Sequence, residues 1–128
     1  MKEGSRTARC ASRLLLDVSQ HEGVGVVRCR GRICFREEAV QFSRTVIDLM
    51  LAGHNVVLDF SGVELLDSAG LGELVLVHMQ SQATGIPVCL VAPIPRVHSL
   101  LQLTNVASLF TIYPTVEDAK ASLTSHAA

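Results

Sequence analysis

The sequence predicts an α/β domain built on a mixed sheet: about five strands, the central ones parallel and the first two an antiparallel hairpin, with about four helices. Two near-continuous apolar runs, Asn55-Val56-Val57-Leu58-Asp59-Phe60 and Pro87-Val88-Cys89-Leu90-Val91, lack the polar alternation of a half-exposed strand. Strands covered on both faces have that character. Segments of helical period separate these runs, so they pair through crossovers, and strands joined that way are parallel. Ahead of them lie two strand-like segments joined by a tight turn, the pattern of a hairpin.

The elements follow in order. Leu14-Leu15-Leu16-Asp17-Val18-Ser19-Gln20 is a strand, His21-Glu22-Gly23 supplies the turn, and Val24 to Arg30 is its partner, ending at Gly31. Arginines alternate with apolar residues in that second strand, which marks one solvated face rather than a binding patch. From Phe35 the period becomes helical. Glu37 and Glu38 put negative charge in the first turn, Ala39, Phe42, Val46, Leu49 and Met50 form one stripe, and Gly53 stops the helix. After the Asn55–Phe60 strand, Ser61 to Asp67 is expected to be a loop. Ser68 then opens a helix that runs to Ala83 and is closed by Gly85 and Pro87.

Pro87 to Val91 is the next strand, Arg96 to Leu103 a short helix introduced by Pro93 and Pro95, and Thr111-Ile112-Tyr113 a last strand. Thr115 with Asp118 three residues on resembles a capping box and starts a terminal helix through Leu123. Residues 1–12 are expected to be a flexible tail, 13–125 the single domain, and 126–128 a terminal tail.

Composition narrows the function. A chain of 128 residues, 48% hydrophobic, holds one core and needs neither metal nor disulfide to close it. Net charge is −1. Arg6, Arg9 and Arg13, with Arg28, Arg30, Arg32 and Arg36, make no stripe suited to a nucleic-acid backbone, so nucleic acid is not an expected direct partner. No apolar run reaches about 18 residues and no secretory leader pattern opens the chain, so a cytoplasmic protein without membrane insertion is expected. Four cysteines form no C-x-x-C pair, five histidines do not cluster, and no cofactor is implied. Cys29, Cys34 and Cys89 lie in strand-like contexts, where a reduced buried thiol acts as a small hydrophobe.

The chemistry concentrates at Asp67-Ser68-Ala69-Gly70-Leu71-Gly72. A serine at a helix start can cap it through its hydroxyl, and the first-turn N–H groups with the helix dipole suit an added phosphate. Gly70 and Gly72 lack a Cβ and leave room for a close approach. Phosphorylation would add a charge of about −1.5 to −2 beside Asp67, enough to disfavour an acidic or apolar partner surface. Taken alone, D-S-x-G does no more than cap a helix and let it pack closely. An esterase would need G-x-S-x-G, but position 66 is Leu, and G-L-G at 70–72 lacks the lysine or third glycine of a nucleotide loop. No enzymatic activity is expected.

With the strand and loop upstream, Leu58-Asp59-Phe60-Ser61-Gly62-Val63, the segment resembles the STAS family, named for sulfate transporters and anti-sigma-factor antagonists. The resemblance extends to the Pro95-Arg96-Val97 to Leu103 helix and to Tyr113–Ala119, and covers roughly Leu14 to Leu123. It implies a STAS-like fold and a switch of the antagonist type: the serine matching Ser68 is phosphorylated by a partner that is both serine kinase and anti-sigma factor, which turns binding off. The implied partner face is Asp67, Ser68, Ala69, Gly70, Leu71, Gly72, Leu74 and Val75. From Leu71 onward the helix is apolar over more than one stripe, with Leu74, Val75, Leu76, Val77 and Met79, so part of it is available to a partner unless neighbouring helices cover it.

Antagonists commonly carry an aspartate after G-x-L at the end of the second strand; here Gly31-Arg32-Ile33 is followed by Cys34 and Phe35, and the nearest acids are Glu37 and Glu38. Two other functions share the pattern: a small STAS accessory subunit of a lipid or anion transport system, and a scaffold or dimerisation domain that forms homodimers.

Overall fold

The computed structural model describes residues 14–127, with side chains from 14 to 124. The expected tail at 1–12, Arg6, Arg9, Arg13 and Cys10 lie outside the described residues.

The chain forms β1 (Leu14–His21), β2 (Val24–Ile33), α1 (Phe35–Leu51), β3 (Asn55–Leu66), α2 (Ser68–Thr84), β4 (Val88–Val91), α3 (Pro95–Leu103), a 3-10 turn (Ala107–Leu109), β5 (Thr111–Tyr113) and α4 (Val116–Ala127). The strands make one sheet in the order β1-β2-β3-β4-β5. β1 and β2 are antiparallel, and the other neighbouring pairs are parallel. The expected mixed sheet and four helices are present.

Local chemistry sets these elements. Glu22 and Gly23 both take left-handed φ, 54° and 78°, the backbone a two-residue hairpin turn needs to match strand twist. The stripe Ala39, Phe42, Val46, Leu49 and Met50 is buried as its spacing requires. Gly53 (φ 89°) follows the end of α1 and its N–H reaches the carbonyl of Met50 at 2.9 Å, while Gly85 (φ 74°) closes α2 on the carbonyl of Ser81 at 2.9 Å. Thr115 Oγ1 accepts from the Asp118 N–H at 3.1 Å, making the side-chain cap expected for α4.

Alternation along the strands sends residues to two apolar clusters. Val56, Leu58 and Phe60 join α1, α2 and α3 on one face, while Val57 joins Val24, Val26, Cys89 and Val91 beneath Ala119 and Leu123 of α4. Phe42 and Phe60 meet edge to face with ring centres 5.9 Å apart. Each such buried side chain contributes about 1.5–3 kcal/mol.

The sheet is longer than the sequence suggests. β3 does not stop at Phe60; Ser61 to Leu66, expected as a loop, continues the strand, and β2 continues past Gly31 to Ile33. The two extensions pair with each other across two register shifts, so a stretch with poor strand propensity is held by its neighbour. Gly62 marks the crowding, since a Cβ there would lie 2.5 Å from Cγ of Arg30 and 3.0 Å from the carbonyl of Cys29. Ends shift slightly elsewhere: α3 starts at Pro95, β4 at Val88, and α4 runs past Leu123 to Ala127. Among the described residues no helix is long and apolar enough to cross a membrane.

Candidate functional site

Because β2 and β3 are parallel and end together, with Ile33 beside Leu66, the two chain segments that leave them emerge side by side. Each opens a helix. Cys34 stands at the N-cap of α1 without a side-chain cap, and Asp67 stands at the N-cap of α2 in extended backbone. One carboxylate serves both starts. Asp67 Oδ1 accepts from the Gly70 N–H at 2.9 Å, and Oδ2 accepts from the Phe35 N–H at 2.9 Å. The carbonyl of Asp67 also accepts from the Leu71 N–H at 2.9 Å, the first turn of α2.

Desolvation pushes the Asp67 carboxyl up, but the backbone N–H groups of Phe35, Gly70 and Ala69 outweigh it and leave its pKa below the ordinary value. The carboxylate is therefore ionised across the neutral range. Phe35 takes a left-handed φ of 66°, a conformation costly for a residue with a side chain, and its ring is exposed.

The expectation that Ser68 caps α2 is corrected. Asp67, one residue earlier, takes the cap because its charged oxygen is the stronger acceptor for first-turn N–H groups. Ser68 is the first helical residue; it is exposed and its hydroxyl has no hydrogen-bond partner among the described residues. Of the first-turn donors thought open to a phosphate, the Gly70 N–H is already bound to Asp67.

The two glycines differ. Gly70 is buried, and a Cβ on it would collide with the carbonyl oxygen of Ile33, so its room is filled by the protein's own backbone and not held for a visitor. Gly72 is exposed, with nothing within 4 Å of the place a Cβ would take, and it alone keeps an open approach. Leu74 and Val77 are fully buried, Ala69, Leu71 and Val75 are half-buried, and Leu76 and Met79 face solvent. Thus the neighbouring elements cover Leu74 and Val77 fully and Leu71 and Val75 in part, and leave Leu76 and Met79 outside; near Ser68 the outward residues of α2 are Ser68 and Gly72 with the edges of Ala69, Leu71 and Val75.

Cys34 fills the position where the resemblance leads one to look for an aspartate. Its thiol is buried against the Leu65 carbonyl, Sγ to O 3.9 Å, and burial, then the charge of Asp67, push its pKa up. It stays neutral beside the carboxylate. Glu37 is exposed in the first turn of α1. The centre of α1 is joined to the second turn of α2 by the hydroxyl of Ser43, which donates to Glu73 Oε1 at 2.6 Å from a nearly solvent-free position.

Sequence reasoning missed Phe35 and Ser43 as parts of this region. Ser43 could have been found, since it lies on the apolar stripe one residue after Phe42; the bond from Phe35 joins residues 32 apart and left no local signal.

A model of the STAS domain matches residues 16–119. A protein from Thermotoga neapolitana, provisionally named an anti-sigma factor antagonist, is 35% identical over 85 residues, covering 65% of this chain and 75% of its own. An anti-sigma factor antagonist from Mycobacterium paratuberculosis has a crystal structure that superposes with a TM-score of 0.76 at 26% identity, over 88% of this chain and 95% of that one. TM1081 from Thermotoga maritima gives 0.73 at 27% identity, over 84% and 93%.

Proposed function

The chain belongs to the STAS domain family, and on that premise we propose that it is a non-enzymatic switch of the anti-sigma-factor-antagonist type, controlled by phosphorylation of Ser68. Its partner in this reading is a protein that combines serine kinase and anti-sigma factor. The observation that carries the proposal is the division of labour at the start of α2: Asp67 caps the helix, which leaves the Ser68 hydroxyl exposed and unpartnered in the following position. A serine that capped the helix itself would lose a structural bond when modified. This one would not.

The partner contacts the loop and first turns of α2 at Asp67, Ser68, Ala69, Leu71, Gly72 and Val75, while Gly70 and Leu74 support that surface from beneath. In the dephosphorylated state this surface is half apolar and carries one carboxylate already held by two N–H groups. A phosphate on Ser68 adds about −1.5 to −2 charge beside that carboxylate, and inside an interface such a charge is poorly paired and costly. The partner is released while the fold stays intact.

Affinity capture from the native cytosol with wild-type, Ser68→Ala and Ser68→Glu proteins identifies the partner, and titration calorimetry then measures it. Ser68→Glu is expected to weaken binding by more than about tenfold, or about 1.4 kcal/mol, while Ser68→Ala binds like the wild type but escapes regulation. Equal affinity for wild type and Ser68→Glu, with the fold intact, would sink the switch. Peptide mass spectrometry after incubation with the kinase should place a single phosphate on Ser68; a phosphate found on Ser61 instead would count decisively against the assignment.

A further inference from the structure

Beside the end of β3 the surface opens into a groove of about 360 Å³, walled by Leu65 and Leu66 from the strand and by Val97, Leu100 and Leu103 from α3. Arg96 is the one charged side chain among the described residues of its lining. α3 turns Val97 and Leu101 into the core, so Leu100 and Leu103, three residues apart, form a second apolar edge off that stripe. Leu103 is 83% exposed and Leu65 38%, an apolar surface that the fold itself does not cover.

Two further observations identify what fits there. Arg32 is exposed and lies next to Leu65 in the β2–β3 register, and neither Arg32 nor Arg96 has an ion-pair partner among the described residues. The neighbouring acids are the exposed Glu64 and the half-buried Asp67, and the Asp67 carboxylate is already held by the Phe35 and Gly70 N–H groups, so the charges left without a partner there among the described residues are two cations and one anion. The groove is also continuous with the loop that carries the serine, because Leu66 is followed directly by Asp67 and Ser68.

We propose that this groove is the anchoring part of the partner interface, and that it receives a leucine or phenylalanine side chain from a partner segment with acidic residues on either side. The proposal rests on the reading of the Ser68 loop as the partner face. Apolar anchors in pockets carry most of the energy of an interface, and a charged rim selects and orients the segment that brings them. The acidic flanks connect the groove to the switch. A phosphate at Ser68 repels those carboxylates, so modification acts on the anchor as well as on the loop.

The test titrates a synthetic amphipathic peptide of about 12 residues, with leucines at helical spacing and glutamates on either side, into the full chain labelled with nitrogen-15. The same peptide with lysines for glutamates is the control. Amide shifts are expected to gather at Leu65, Leu66, Val97, Leu100 and Leu103, with the glutamate peptide bound about tenfold more tightly than the lysine one. Leu103→Asp, at an exposed site where the fold tolerates charge, should weaken it about tenfold. Shifts that gather elsewhere, equal affinity for both peptides, or unchanged binding by Leu103→Asp would each overturn the proposal. So would a homodimer held through Leu103, seen as dissociation of Leu103→Asp in sedimentation.

Ser68→Glu, measured with the glutamate peptide, should weaken it about threefold or more. Binding in the groove that ignores Ser68→Glu would overturn its link to the switch. If the peptide fails but Ser68→Glu still releases the captured kinase, the groove assignment fails and the switch stands.

Discussion

Gly70 lies so close to the carbonyl of Ile33 that no side chain fits between the start of α2 and the end of β2, whereas Gly72, two residues on, faces open space. The pair separates two roles that one sequence motif merges. Gly70→Ala must displace either the helix start or the strand end and is expected to cost more than about 2 kcal/mol. Gly72→Ala meets nothing and should stabilise the helix by about 0.5–1 kcal/mol. Urea denaturation of the two variants reads this difference directly; a Gly70→Ala protein as stable as the wild type would contradict the packing described.

Asp67→Ala removes an N-cap and the tie to Phe35 together, and a loss of about 1–2 kcal/mol is expected in the same assay. Ser68→Ala removes a hydroxyl without a partner, so stability should stay within about 0.5 kcal/mol of the wild type. A large loss on Ser68→Ala would show that the serine does have a structural bond.

The depressed pKa of Asp67 gives stability a pH dependence of known sign. A carboxyl whose folded pKa lies below its unfolded value stabilises the fold above the unfolded value, 3.8, and that contribution is lost as pH falls through the folded pKa. Asp67→Asn, which has no charge to lose, should flatten the stability profile between neutral pH and the acid limb. Equal slopes for the two proteins, measured as Tm against pH, would refute this.

Ser43→Ala takes the buried donor from the bond to the half-exposed Glu73 and is expected to cost about 1 kcal/mol. Glu73→Ala should cost less, since the Ser43 hydroxyl can turn to the carbonyl of Val40, 3.3 Å away in the same helix. Thermal melts that rank the two the other way would place the energy in Glu73 instead.

Much of this architecture was legible in the sequence for physical reasons. Ala39, Phe42, Val46, Leu49 and Met50 recur at helical spacing, and Val56 to Leu58 are apolar without alternation because the sheet there is covered on both faces. The position of Ser68 at a helix start was legible too. What was not legible depends on partners distant in sequence. Gly62 and Val63 read as a loop until Arg30 and Gly31 lie alongside, and Ser68 reads as the cap until Asp67 is seen bound to Gly70. The burial of Gly70 and Leu74 follows from the packing of α2 on α1 and the sheet, which no local window contains.

The two oxygens of Asp67 also differ in when they can find their donors. The bond from Oδ1 to Gly70 spans three residues and is open to a chain that has formed only the first turn of α2, while that from Oδ2 to Phe35 spans 32 and requires β2 and β3 to be aligned. Contacts of long sequence separation are slow to close. The helix start therefore has a local half that can nucleate early and a distant half that completes late, so the ground beneath Ser68 sets only after the sheet does. Rate measurements on Asp67 variants would see this as a transition state in which the residue is half engaged.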